Sequence, residues 1–232
     1  MTFAEKVIAF NNQLHFDKRK LPVGLDIMNP FKEHDQINAI SGQFYQKYYS
    51  DHKNRKFIIG INPGRLGAGL TGVPFTDPKH LQSQCNIHYP GKPAHEPSSV
   101  FVYDVINAFG GVSEFYSQFY INSICPLGFI SVDAAGKRKN YNYYDSRELT
   151  MVVYDFMIES IEKQLDFGID RDICFCLGAS DNLKFLYKIN SEKKYFKHII
   201  GLEHPRFIMQ YKSKSKQFYI DKYLSILKSE TE

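Results

Sequence analysis

The chain has no run of about eighteen apolar residues, the length that reads as a transmembrane helix. Its opening residues, MTFAEKVIAF, lack the basic stretch, apolar core and small-residue cleavage site of a secretory signal. Membrane insertion and export are therefore not expected, and an intracellular protein of the cytoplasm or nucleoid is. Cysteine is scarce: Cys85, Cys125, Cys174 and Cys176 are the only four among 232 residues, and none forms a CxxC pair. A disulfide framework is excluded on that count. Cys174 and Cys176 flank Phe175 in a strand-like run, which sends both thiols to one face of a sheet, as in a core strand. His80, Cys85, His88 and His95 follow no zinc-ligand spacing, so no metal and no cofactor is expected. Repeats and low-complexity tracts are also missing. The net charge is only +4, which excludes a polycation. The basic residues are instead clustered, at 18–20, 137–139 and 193–194 and at Lys212, Lys214 and Lys216. Such clusters are solvated surface unless they converge on one face, where they mark an acidic partner.

What is present suits one globular α/β domain spanning residues 1–232, with 43% hydrophobic residues. Thr2-Phe3-Ala4-Glu5 has the form of a capping box, and Phe3, Val7 and Phe10 continue at helical spacing. Residues 21–30 read as an irregular extended segment. A helix is predicted from about Gln36 to Tyr49, with Ile37, Ile40, Phe44 and Tyr48 along one stripe. Strands are predicted at 57–61, 119–124, 172–177 and 198–202. Between and after them lie a helix capped by Pro97-Ser98-Ser99 and ending at Gly110-Gly111, a long helix opened by Ser146, a short helix after Gly178-Ala179-Ser180, and a terminal helix from Ser213. Strands separated by helices predict a three-layer α/β/α fold around a mostly parallel four-stranded sheet. Ligands of such folds bind outside the carboxyl ends of the strands, where Asn62 and His204 both fall and near which Asn122 lies.

The chain is organised around Lys56 to Pro78, KFIIGINPGRLGAGLTGVPFTDP. An apolar strand runs into Asn62-Pro63-Gly64, and five glycines between Gly60 and Gly72 let the backbone approach a ligand closely. GINPG followed by TGVPF resembles the first motif of the single-strand-selective monofunctional uracil-DNA glycosylases, a branch of the uracil-DNA glycosylase superfamily. The upstream PVG and NP segments, FYINSICPL (similar to the family's HNLCPL) and the His204-Pro205-Arg206 segment extend the match over nearly the whole chain. His204-Pro205-Arg206-Phe207-Ile208-Met209 departs from the family's HPSPRN-like motif in lacking its Ser-Pro pair, so the register of the wedge residue is open.

The resemblance implies a DNA repair enzyme that extrudes uracil and hydrolyses its glycosidic bond. Asn62 would position the water and His204 would stabilise the leaving base anion. Asn122 would read the base, Phe75 would stack on it, and the loop amides around Ile61 and Gly64 would assist. Arg206, Phe207 or Met209 would supply the wedge, and Lys212, Lys214 and Lys216 would border a DNA groove. The implied partner is DNA, single-stranded or duplex, and the implied working unit a monomer. Two other readings are a glycosylase specialised for xanthine or hypoxanthine and a non-catalytic module that binds single strands. A degenerate pocket would have no need of Asn62 and His204, which speaks against the second.

Overall fold

The computed structural model describes residues 1–33, 35–92, 94–133 and 135–230. Seven strands occur in it, β1 (Leu25–Met28), β2 (Arg55–Gly60), β3 (Phe119–Ser123), β4 (Gly128–Val132), β5 (Arg138–Tyr141), β6 (Ile169–Leu177) and β7 (His198–Leu202). The helices are α1 (Phe3–Gln13), α2 (Pro30–Glu33), α3 (Asp35–Tyr49), α4 (Ala68–Thr71), α5 (Pro78–Ser83), α6 (Pro97–Phe109), α7 (Val112–Gln118), α8 (Arg147–Leu165), α9 (Asp181–Lys193), α10 (Pro205–Tyr211) and α11 (Lys216–Ser229). Helix starts follow local chemistry. Thr2 accepts the Glu5 N–H while Glu5 accepts that of Thr2, a closed capping box. Ser146 caps α8 through the Leu149 N–H.

β3, β2, β6 and β7 form one four-stranded sheet in that order, parallel throughout. On one face Ile58 and Ile121 meet Val102 and Val105 of α6 and Tyr223 and Leu227 of α11. On the other, Phe57 and Tyr120 pack with Phe3 of α1, Tyr49 of α3 and Phe167. This is the expected three-layer α/β/α architecture. Arg55 is buried at the amino end of β2, satisfied by both Asp51 oxygens at 2.8 and 2.9 Å and by the Tyr116 carbonyl at 2.9 Å. All four carboxyl ends open on the same side: Gly60 pairs with Ser123, and Leu177 with Leu202.

Several boundaries differ from the sequence reading. β6 begins at Ile169, the helix after Gly178 is 13 residues long, and a 3₁₀ turn at Ser213–Ser215 precedes α11. The N-cap of α6 is Glu96, with Pro97 in the first turn where its missing N–H costs nothing. The larger correction is a second sheet. Residues 25–28 form a strand, antiparallel to β4, which pairs in turn with β5. Leu25 lies opposite Ser131, a partner over a hundred residues away in sequence, and local composition carries no sign of so distant a pairing.

Candidate active site

A cavity of ≈ 340 Å³ lies outside the carboxyl ends of the parallel strands. Ile61 and Asn62 follow β2, Ser123 ends β3, Gly178 follows β6 and His204 follows β7, and all five line it. Gly64, Phe75 and Glu96 form one wall. Asn140, Asn142 and Tyr144, on the tail of the small sheet, form another, while Arg206, Phe207 and Tyr211 of α10 stand at its edge.

Asn62 is fixed before any substrate arrives. Its Nδ2 donates to the Tyr141 carbonyl at 3.2 Å, and its Oδ1 accepts the Tyr143 N–H at 3.1 Å. These bonds assign the amide orientation and leave one N–H and one lone pair for a further partner. The small sheet thereby serves the site, since its last strand carries the backbone that holds the strand-end asparagine.

His204 is equally constrained. Its Nδ1 accepts the Arg206 N–H at 3.1 Å, capping α10. Burial, with the Arg206 guanidinium adding to it, lowers the imidazole to about 4. At neutral pH the ring is uncharged, and because Nδ1 accepts, the proton resides on Nε2. The residue before it is anchored from α11, where Lys222 Nζ meets Glu203 Oε1 at 2.7 Å and the Tyr223 hydroxyl donates to the Glu203 carbonyl.

The ring of Phe75 lies 5.7 Å from that of His204. Its φ of 52° is unusual for a residue with a side chain. The turn is held by the buried Thr71 hydroxyl, which donates to the Thr76 carbonyl at 2.6 Å and accepts the Val73 N–H at 3.1 Å. A Cβ at Gly60 would come within 3.2 Å of the Phe75 ring, so glycine at the end of β2 makes room for the aromatic face.

Other expected residues stand elsewhere. Asn122 is 5% exposed and outside the cavity lining. Its Oδ1 accepts the Ser123 N–H at 2.8 Å and its Nδ2 donates to the Tyr120 hydroxyl at 2.6 Å, which donates on to Gln164 at 3.2 Å. Like that of Asn62, this amide keeps one N–H and one lone pair, but it stands outside the cavity lining. Ser123, which sequence reading passed over, lines the cavity instead. Alignment of NSICPL with HNLCPL on Cys125-Pro126-Leu127 would have found it, since this sets Ser123 opposite the family's asparagine. Met209 packs half-buried against the core. Lys212 and Lys214 are exposed beyond α10, whereas Lys216 is tied to Asp104 at 2.6 Å. Phe207 and Tyr211 lie with ring centres 5.6 Å apart and their planes tilted by 46°.

Glu96 was also missed. Its carboxyl is raised to about 6, by burial first and by nearby Asp77, against a hydrogen bond from Ser99 and the charge of Arg206. Burial of Asp77 opposes its ionisation. Hydrogen bonds from the His80 ring and from the Glu96 and His80 N–H groups outweigh that, and hold its carboxyl below the ordinary carboxylate value. Among the described residues, no three His, Cys, Asp or Glu side chains are grouped so as to hold a metal ion, and no helix is long and apolar enough to cross a membrane.

The uracil DNA glycosylase superfamily model matches residues 46–228, from the end of α3 to the last helix. The chain belongs to that superfamily. A crystal structure of wild-type SMUG2 from Pedobacter heparinus is similar over 100% of this chain and 99% of that one, at 61% identity and a TM-score of 0.97. A search of curated proteins returns no match. The branch is thus the bacterial SMUG type, and the enzyme a monofunctional uracil-DNA glycosylase, a hydrolase of N-glycosidic bonds acting on DNA in base excision repair.

Proposed function

We propose that this glycosylase draws a uracil nucleotide out of DNA into the cavity beside Phe75 and cleaves the base with Asn62 and His204. The observation that carries this reading is the pair of preset groups: an amide with one free N–H and one free lone pair, and a neutral imidazole with its proton on Nε2. As the glycosidic bond lengthens, negative charge gathers on the base and positive charge on the sugar. The Nε2–H donates to the base oxygen where that charge develops, the logic of an oxyanion hole, for which comparable donors contribute about 2.7 to 4 kcal/mol. A neutral donor suits this role, because burial of an imidazolium would cost more than it returned. Asn62 holds the incoming water, and the loop amides around Ile61 and Gly64 add to the stabilisation.

Extrusion of the base costs a few kcal/mol, least in single strands. Arg206 and Phe207 are both exposed at the cavity edge, and of the two it is Phe207, 41% exposed, that offers an apolar ring to fill the gap. Lys212 and Lys214 face solvent where phosphates would pass, with Lys216 a weaker contributor. The working unit we infer is a monomer acting on DNA inside the cell.

A second reading concerns base range. With Asn122 outside the cavity lining, it is Ser123 that offers the base a hydroxyl, which can donate or accept. Such a group rejects other bases less strictly than a fixed amide. Xanthine and hypoxanthine are therefore candidate substrates beside uracil. The test is a gel assay on single- and double-stranded oligonucleotides carrying each base, followed by alkaline cleavage of abasic sites. Strand scission at uracil is expected. Its absence in both strand forms would refute the proposal, and scission confined to uracil would refute the wider range.

A further inference from the structure

Among the described residues that line the cavity, Glu96 carries the one carboxyl, and the chemistry above leaves it unused. It stands at the start of α6, and its carboxyl fills the hollow of the loop that follows Asn62. A Cβ on Gly67 would lie 2.1 Å from Glu96 Oε2, and one on Gly64 would lie 2.6 Å from Oε1. Glycines at these two positions are what allow a carboxyl to stand there. Oε2 accepts the Ser99 hydroxyl at 3.3 Å, while Oε1 accepts no hydrogen bond from any described residue. Glu96 borders the cavity together with Asn62 and His204. That oxygen keeps contact with solvent on a residue that lines the cavity, as a group that is to meet a water there must. The reaction also lacks a base: an amide can orient water but cannot take its proton.

We propose that Glu96 is a further catalytic residue, whose carboxylate takes the proton of the water that Asn62 holds as the water oxygen adds to the sugar. The step rests on the glycosylase reading and balances without a co-reactant. A water lone pair forms the new bond to C1′, the C1′–N bond breaks with its pair leaving on the base, and the water's proton passes to Glu96. The base anion is held by the His204 Nε2–H and protonated from solvent on release, after which Glu96 returns its proton to solvent. Hydrolysis is the net result.

The groups around Glu96 set when it can act. Asp77, preceding α5, accepts the Glu96 N–H at 2.8 Å and carries the His80 ring at 2.7 Å and that of His95 at 3.6 Å. Its charge opposes ionisation of Glu96, while Arg206 on α10 favours it. Burial dominates, and the carboxyl is half-ionised at about pH 6. His204, lowered to about 4, stays neutral through that range.

The test is single-turnover excision of uracil from a single-stranded oligonucleotide between pH 5 and 8, with wild type, Glu96→Gln, Glu96→Asp and His95→Gln. Wild type should gain rate as pH rises through about 6 and then level off. Glu96→Gln, which keeps an acceptor for Ser99, should lose about 10²- to 10⁴-fold on the plateau and lose the rise. Glu96→Asp should keep the rise with a lower plateau, and His95→Gln should keep both. Glu96→Gln within threefold of wild type with the rise intact would overturn the inference and leave Glu96 a loop support. Should Glu96→Gln fail to fold, Glu96→Asp decides: a profile without the rise refutes the role. A wild type that excises nothing at any pH would bring down the glycosylase reading itself.

Discussion

His204 has two separable roles, and two substitutions should divide them. Its Nδ1 caps α10 through the Arg206 N–H at 3.1 Å, while Nε2–H is free to meet the base. His204→Ala removes both. The lost cap should cost about 0.5 to 2 kcal/mol, or about 2–4 °C in melting temperature for each kcal/mol in a chain of this size. The lost donor should cost about 2.7 to 4 kcal/mol in the transition state, about 10²- to 10³-fold in rate. His204→Asn keeps a capping oxygen, so it should melt near wild type, yet its shorter side chain withdraws the donor and should lose the same 10²- to 10³-fold. The imidazole adds a pH signature. Its value in the folded protein lies at about 4, below the ordinary 6.5, so its contribution to stability is complete above about 6.5 and is lost as pH falls towards 4. His204→Asn should not show that loss. The assays are thermal melts from pH 4 to 8 and single-turnover excision at pH 7.5. Wild-type excision by His204→Asn, or rates that follow the melting temperatures of the two variants, would refute the assignment.

Asn122→Asp buries a charge and removes the donor to Tyr120. It should destabilise the protein by about 1–3 kcal/mol in a denaturant titration, whereas Ser123→Ala should change the ratio of uracil to xanthine excision with little loss of stability. Alanine at Lys212 and Lys214 should each lower the slope of log affinity against log salt by about 0.7 to 0.9, with a smaller change for Lys216, which Asp104 already holds; equal slopes for all three would place the DNA elsewhere. Glu96 rests at about 6 rather than 4.5. A raised carboxyl adds stability below its unfolded value and loses it as pH rises through about 6. Glu96→Gln should therefore gain about 1–2 kcal/mol in a denaturant titration at pH 7.5, and nothing at pH 4, where both forms are neutral. Equal gains at both pH values would mean that the carboxyl's charge is not the cause.

Much of this was legible in the sequence because it is local. The apolar run ending at Gly60, the glycine loop and the His204-Pro205 pair place Asn62 and His204 at strand ends without reference to anything distant. The small sheet was not legible, because β1 and β4 pair across more than a hundred residues and neither is a long apolar run. With it went Tyr141 and Tyr143, whose backbone groups fix Asn62. Ser123 was lost to a shift of one residue, which in a strand exchanges the two faces completely. Glu96 gave no signal at all: a glutamate before Pro-Ser-Ser reads as the solvated start of a helix, and only the folded loop shows that Gly64 and Gly67 leave a hollow for it.

The convergence of Phe75, Ser123 and His204 on one base is tested most directly by a crystal structure of the protein with free uracil, the product. The base should lie against the Phe75 ring, with His204 Nε2 within about 3 Å of a base oxygen, Ser123 facing the ring edge and the Asn122 amide still on Tyr120. Uracil bound outside this cavity, or an Asn122 side chain turned in to meet it, would contradict the assignment.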